Sequence, residues 1–308
     1  MKSILIGRSS FSASRLAYGC WRIAETEEAG RTIGRAAIIA AYEAGYTLFD
    51  HADIYCAERA ESAFGAVLKE VSGMRERVLI ASKCGIRMVG DPAPGVPFRY
   101  DFSADHIRRS CEGSLKRLGV DCLDLYQLHR PDWLCDPAEV AGAFSELLQA
   151  GKARAFGVSN FAPSQVTMLQ KACPMPLVVN QVEISLAKLD CFTDGTLDQC
   201  VAENITPLAW SPLGGGLLAD GPRRLLPWQE KYRPATAVEA LDAIATARGA
   251  SRSVVALAWL LKHPGGIVPI VGSTNPERIR EATKAAELEL SREEWYTLLE
   301  AARGERLP

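Results

Sequence analysis

Short apolar runs alternate along this chain with longer stretches of helical period. A short β segment opens it, and a strand at Arg15 to Tyr18 ends in Gly19-Cys20-Trp21. Thr32 to Ala44, rich in Ala and Ile, reads as a helix closed by Gly45 as its C′ residue. A strand at Tyr46 to Phe49 stops abruptly at Asp50 and is followed by His51, Ala52, Asp53, Ile54 and Tyr55. Ala60 to Val71 is helical, and the strand Arg77 to Ala81 runs into Ser82-Lys83-Cys84-Gly85. A Pro- and Gly-rich loop covers Ile86 to Phe102. Ser103 caps a helix with Ile107, Cys111, Leu115 and Leu118 on one face, and Gly119 ends it.

The strand Cys122 to Leu128 delivers His129-Arg130-Pro131. Asp136-Pro137-Ala138-Glu139 opens a helix as a capping box with Pro at N1. Its apolar face is Val140, Phe144, Leu147 and Leu148, and Gly151 stops it. Further strands at Ala153 to Val158, Leu177 to Val179 and Thr206 to Ala209 deliver Ser159-Asn160-Phe161, Asn180-Gln181 and the run Trp210 to Gly216. Helices from Pro163 and around Leu197 to Glu203 separate them. After an irregular stretch to about Pro234 come helices at Ala237 to Arg248 and Ser253 to His263. The last strand, Ile267 to Val271, delivers Gly272-Ser273. Asn275-Pro276 caps a helix through Ala286, and Ser291 to Ala302 adds a final one.

Strand and helix alternate with no linker between them, and the strands number eight. The pattern predicts a single α/β domain over residues 1–308, a (β/α)₈ TIM barrel, a fold of roughly 250 residues in its usual form. The polar and Gly-rich clusters all fall at the C-terminal ends of strands, where such barrels carry their chemistry.

Composition removes other classes. A net charge of −2 gives no basic field for nucleic acid or an anionic membrane. The apolar core of the first residues, Ile4 to Ile6, is too short for a signal segment, and Val254 to Leu261 is far short of a membrane span. A cytoplasmic protein is expected. Nine Cys without a C-x-x-C pair indicate free thiols, not a disulfide framework or a zinc site. No metal is expected, although His51 and His129 leave a metal-dependent hydrolase open.

Four ionisable residues come from three successive strand ends: Asp50 and Tyr55, then Lys83, then His129. Taken singly, each has an ordinary explanation: a helix cap, a rim aromatic, a solvated lysine, a core histidine. Together at one barrel mouth they make a proton-transfer set. A phenol is a poor acid near its reference pKa of about 10. An ammonium about 4 Å away can lower that pKa, and a carboxylate keeps the ammonium charged in a buried site. A neutral imidazole can orient the same substrate oxygen. Such a phenol protonates a carbonyl oxygen, and carbonyl reduction needs a hydride source.

No G-x-G-x-x-G follows a strand, so a Rossmann domain is absent, and no G-x-S-x-G surrounds Ser159. Ser159, Asn160 and Gln181 can instead hydrogen-bond a carboxamide such as that of nicotinamide. Trp210 offers a ring for stacking. The Ser211–Gly216 loop offers backbone N–H groups to a pyrophosphate. Ser273, Asn275 and Arg278 begin the last barrel helix, a setting that favours phosphate.

These segments resemble an aldo-keto reductase over essentially the whole chain. The resemblance rests on Tyr18-Gly19-Cys20-Trp21, Asp50-x-Ala52-x-x-Tyr55, Ser82-Lys83, Leu128-His129-Arg130, Gly157 to Phe161, Asn180 to Glu183, Trp210 to Gly214, and Pro269 through Arg278. It is strongest for a bacterial subgroup of predicted oxidoreductases that shares DHADIY, SKCGI and NQVEIS. The resemblance implies Tyr55 as general acid/base, tuned by Lys83 and Asp50, with His129 orienting the carbonyl. It assigns the cofactor to Gly19, Cys20, Trp21, Asp50, Ser159, Asn160, Gln181, Trp210, Ser211, Pro212, Leu213, Gly214, Gly216, Ser273, Asn275, Arg278 and Glu281. Ser273 and Arg278 would meet an adenosine 2′-phosphate, which implies NADPH (NADP) in preference to NADH. Trp21 would also line the substrate pocket.

Ala282 stands where many relatives have Asn, and Thr274 where some have Arg. The chain ends at Pro308, soon after the last helix, so a long C-terminal pocket loop is expected to be short or missing. Segments 88–102, 130–136 and 217–234 are expected to line the pocket, with Trp133 and Trp228 pointing to an apolar substrate. The expected partner is a small-molecule carbonyl compound, with neither nucleic acid nor membrane, in a monomer or weak homo-oligomer. Cys20, Cys56 and Cys84 lie near the set and suggest redox sensitivity. A nicotinamide-binding regulatory or sensor subunit with little turnover is the other reading of the same residues.

Overall fold

The computed structural model describes residues 1–221, 229 and 235–307. Eight parallel strands close a barrel: β1 (Ala17–Gly19), β2 (Leu48–Asp50), β3 (Leu79–Cys84), β4 (Leu123–Leu128), β5 (Ala153–Ser159), β6 (Leu177–Glu183), β7 (Thr206–Trp210) and β8 (Val268–Val271). Neighbours follow chain order around the ring, and β8 closes on β1 through Ile270–Ala17 and Val271–Tyr18.

The pleat sorts each strand into two faces. Ala17, Leu48, Ala81, Leu125, Val179, Leu208 and Val268 point inward as one cluster. An N-terminal hairpin, Ser3–Leu5 against Ser12–Ser14, adds Ile6, Phe11 and Ala13 to that cluster and closes the N-terminal end. Alternate residues such as Tyr18, Phe49, Ile80, Tyr126 and Phe156 face outward against the helices, where Phe156 stacks on Phe144 at 4.2 Å.

Those helices are α1 (Arg35–Glu43), α2 (Arg59–Glu70), α3 (Ala104–Leu118), α4 (Pro137–Gln149), α5 (Pro163–Ala172), α6 (Thr196–Glu203), α7 (Ala235–Arg248), α8 (Arg252–Lys262), α9 (Pro276–Ala282) and α10 (Arg292–Arg303). Ser103 caps α3, Gly119 ends it in the left-handed region, and Ile107, Cys111, Leu115 and Leu118 are its buried face, as their spacing requires.

Three local expectations change. The first helical stretch begins at Glu27, not Thr32, because Thr26 accepts the Ala29 N–H, and it passes through a π turn at Gly30–Gly34. A Cβ at Gly34 would meet the Ile23 carbonyl oxygen at 2.0 Å, so the close crossing requires glycine. At α4, Asp136 caps Ala138, but Glu139 does not close a box. Its carboxylate accepts the Ala104 N–H at the start of α3 instead. The 86–102 loop carries a two-stranded ribbon, Ile86–Arg87 against Arg99–Tyr100, pinned by Arg87 on Asp91 and Asp101. Among the described residues no helix is long and apolar enough to cross a membrane.

Candidate active site

Register sets the first contact. Gly19 pairs with Asp50, Asp50 with Ala81, and Lys83 with Gln127. Asp50 therefore points inward at the top of β2, and Lys83, two residues beyond inward-facing Ala81, points inward beside it. Lys83 is fully buried. Its ammonium donates to Asp50 Oδ2 at 2.8 Å, the His51 carbonyl at 2.7 Å and the Tyr55 hydroxyl at 3.2 Å. Gln181 Nε2 donates to the other Asp50 oxygen at 2.8 Å. The ion pair is thus buried with all three ammonium donors placed.

Tyr55 reaches the lysine through a tight reversal. Asp53 N–H donates to the Lys83 carbonyl at 3.1 Å, and Tyr55 N–H to the Ala52 carbonyl at 3.1 Å. Cys56, Ala57 and Glu58 then all take positive φ, 53°, 51° and 70°. Three successive non-glycine residues in that region are strained, and the strain sits next to the phenol. His129, directly after β4, presents its ring edge-on to Tyr55 with centroids 5.7 Å apart.

Burial pulls the Lys83 ammonium down, but Asp50 and then Tyr55 hold it above its ordinary value. For Tyr55, burial pushes the phenol up more than Lys83 pulls it down, and Asp50 adds to the rise. The sequence suggested the reverse balance. The phenol here keeps its proton at neutral pH, the state a proton donor needs. Burial, then Lys83 and Arg130, hold His129 well below the usual imidazole range, so it is neutral. Cys20 and Cys84 are wholly buried thiols that burial pushes well up, and half-buried Cys56 is also raised. None of the three has the low thiol pKa of a reactive cysteine.

Behind the set lies a second polar layer. Ser82 donates to buried Glu61 at 2.6 Å, Arg117 does so at 2.7 Å, and Ser110 donates to Asp53. Burial pushes the Asp53 carboxyl up to about 7, against the Ser110 bond, with Glu61 raising it further and Arg117 lowering it. A folded pKa above the ordinary carboxyl value of 3.8 means the folded state holds the proton more tightly. Asp53 therefore contributes stability that is complete below that value and lost as pH rises through about 7. His51, lowered to about 3 by burial and then Lys83, acts in the opposite sense, favouring the fold more as pH rises toward 6.5. Asp53→Asn separates the two. In urea titrations from pH 4 to 8, the advantage of wild type over the variant should shrink with rising pH; a constant difference would refute the assignment.

The mouth opens into a cavity of about 1160 Å³. On its wall lie Gly19, Trp21, Asp50, Tyr55, His129, Ser159, Asn160, Gln181, Trp210, Ser211, Pro212, Leu213, Gly216, Ser273, Asn275, Arg278 and Glu281. Lys83, Cys20 and Gly214 stand back from it. Asn160 holds a left-handed φ of 61° and ties the wall together. Its amide nitrogen donates to Ser159 Oγ at 2.8 Å and the His129 carbonyl at 3.3 Å, and its oxygen accepts Trp210 Nε1 at 2.9 Å. Asn275 spends its side-chain oxygen capping Glu277 and Arg278. Sequence reasoning missed Arg22, Ile54 and Ser253 on the wall. Arg22 and Ile54 adjoin Trp21 and Tyr55, and that adjacency was the available signal. From the segments expected to line the pocket, Arg130 and residues 219 and 220 do so, but Trp133 is 89% exposed and off the wall. Trp228 lies outside the described residues.

A carboxylate, a buried lysine, a phenol and a neutral imidazole at one barrel mouth, beside a long groove, call for comparison with known enzymes. The profile of the Aldo/keto reductase family matches residues 15–303. The chain belongs to the aldo-keto reductase family. This aldo-keto reductase is 43% identical to the 6-dehydroglucose reductase of Novosphingobium aromaticivorans over 311 aligned positions, covering 98% of this chain and 96% of that one. It is 40% identical to the 6-dehydroglucose reductase of Agrobacterium fabrum, with 96% of each chain covered. It is also 40% identical to oxidoreductase YdhF of Escherichia coli, covering 96% and 95%. Among solved structures, the thermostable aldo-keto reductase Tm1743 in complex with the inhibitor epalrestat matches with a TM-score of 0.80 at 29% identity, covering 98% of this chain and all of that one. This aldo-keto reductase is an oxidoreductase of small carbonyl compounds, in a family that works with nicotinamide cofactors.

Proposed function

We propose that the enzyme reduces an aldehyde or ketone at the expense of NADPH, with Tyr55 donating the proton. The observation that carries this reading is the Lys83 ammonium, which touches Asp50 and Tyr55 at once while the phenol lines the cavity. A carbonyl oxygen bound at the mouth would accept hydrogen bonds from the Tyr55 hydroxyl and the neutral His129 ring. As negative charge grows on that oxygen, the phenol gives up its proton, and the Lys83 charge stabilises the phenolate left behind. Asp50 keeps Lys83 charged and, through Gln181, holds its own orientation. A bound nicotinamide supplies the hydride.

The chain suits such a cofactor. Trp210 lies on the cavity wall beside the Ser159–Asn160–Gln181 amides, and the Gln181 side-chain oxygen receives no protein donor among the described residues. Farther along the wall, among the described residues, the Arg278 guanidinium reaches only the Asp220 carbonyl, at 3.5 Å, and no carboxylate. With Ser273 beside it, it offers a free positive charge to a 2′-phosphate, which NADPH has and NADH lacks. The names of two relatives make a sugar aldehyde the first substrate to try.

Steady-state kinetics with each cofactor test the preference. Wild type should use NADPH at a lower KM than NADH. Arg278→Ala should raise the KM for NADPH about tenfold or more, with kcat and the NADH values little changed. Equal KM values for the two cofactors in wild type would refute the NADPH assignment.

A further inference from the structure

Arg130 is a half-buried cation with no counter-charge among the described residues. It follows His129 directly at the end of β4 and stands on the cavity wall. Its guanidinium lies over the Trp210 ring, 5.5 Å from the centroid. Among the described residues it donates to no carboxylate and no carbonyl. Other arginines of this chain do: Arg35, Arg87, Arg108, Arg117, Arg248 and Arg252 each grip an acid. The carboxylates nearest in sequence and at the mouth are already engaged. Asp132 accepts the Phe102 and Leu134 N–H groups, and Asp50 holds Lys83 and Gln181. The Arg130 charge is nevertheless felt inside the site, since it helps hold His129 neutral.

A guanidinium over an indole face can keep its N–H edge available for hydrogen bonds. That edge matches a carboxylate in two parallel hydrogen bonds. The cofactor phosphates do not explain it. Ser273 and Arg278 follow β8, and in the ring order β8 lies opposite β4. Arg22, also unpaired among the described residues and lying over Trp21 at 5.0 Å, follows β1 next to β8 and so belongs to the cofactor side. Arg130 rests against Trp210, and the same cavity wall carries Ile54 and Ile86, side chains that are apolar in their bulk. One arginine in such a wall fits a singly charged carboxylate better than a dianionic phosphate.

We infer that Arg130 determines specificity by binding a carboxylate carried by the substrate, so that the enzyme prefers carbonyl acids to their neutral counterparts. The inference rests on the proposed carbonyl reduction.

The test is NADPH oxidation with two matched pairs: 4-carboxybenzaldehyde against its methyl ester, and 4-oxobutanoate against its methyl ester. Each is assayed with wild type, Arg130→Gln and Arg130→Lys. Wild type should favour the acid of at least one pair about tenfold or more in kcat/KM. Arg130→Gln should abolish that preference through KM for the acid, leaving kcat and the ester within about threefold. Arg130→Lys should restore part of it, because the charge returns without the fork. Added salt should weaken the wild-type preference. Turnover of both members without preference in wild type, or an equal loss on acid and ester in Arg130→Gln, overturns the inference while carbonyl reduction stands. Absence of turnover on all four overturns both.

Discussion

Tyr55→Phe is expected to lower kcat by roughly two to four orders of magnitude and to leave NADPH binding within about threefold. The substitution removes one oxygen. Among the described residues that oxygen accepts a single hydrogen bond, from Lys83 at 3.2 Å, and the ammonium keeps Asp50 and the His51 carbonyl as partners. The ring stays against His129, and the cavity wall formed by Ser159, Asn160 and Trp210 is untouched. The effect should therefore be confined to proton transfer. The check is aldehyde-dependent NADPH oxidation in wild type and variant, beside a fluorescence titration of cofactor binding and a thermal melt. Lost turnover with unchanged binding and melting assigns the proton to Tyr55. A variant that keeps wild-type kcat would mean that the proton comes from elsewhere, with His129 the next group to test. The same experiment separates an enzyme from a sensor. A wild type that binds NADPH tightly and turns over no carbonyl compound would favour the regulatory reading of these residues.

The barrel was legible because its two periodicities are clean. Inward Leu48, Ala81 and Leu125 alternate with outward Phe49, Ile80 and Tyr126, and α3 repeats Ile107, Cys111, Leu115 and Leu118 on one face. Strand ends then fixed which polar residues share the mouth, since Asp50, Lys83 and His129 follow apolar runs with no side-chain contact needed to locate them. What stayed hidden was set by tertiary contacts. The strained turn at Cys56 to Glu58 has no glycine to announce it. Glu139 reads as half of a capping box, yet a neighbouring helix end competes for its carboxylate. The balance on Tyr55 was also beyond reach, because the lowering by Lys83 depends on charge pairs visible in sequence and the raising by burial depends on packing. Arg130 belongs to the same class, since its want of a partner among the described residues is a fact of three dimensions.

Lys83→Met should be the most damaging single change to the site, for stability as well as rate. Methionine is close to the lysine stem in size, so packing is nearly kept and the loss is electrostatic. Removing one partner of a buried ion pair costs roughly 3–5 kcal/mol, because the other charge is left buried. Here that charge is Asp50, 3% exposed and left with Gln181 as its only remaining side-chain donor among the described residues. Burial without a counter-charge favours the neutral form of a carboxyl, so the stranded group is relieved where a proton is available. Its contribution is then retained at low pH and lost as pH rises, so Lys83→Met should be less destabilised at pH 5 than at pH 8. Adding Asp50→Asn removes the stranded charge. The double variant should thus be more stable than Lys83→Met alone at pH 8, while remaining without measurable reductase activity. Urea unfolding of wild type, both single variants and the double variant at the two pH values measures the coupling. Additive losses would mean that the ion pair contributes nothing as a pair. A positive coupling with no recovery of activity would instead show that the pair supports the fold and the Tyr55 proton through the same three hydrogen bonds.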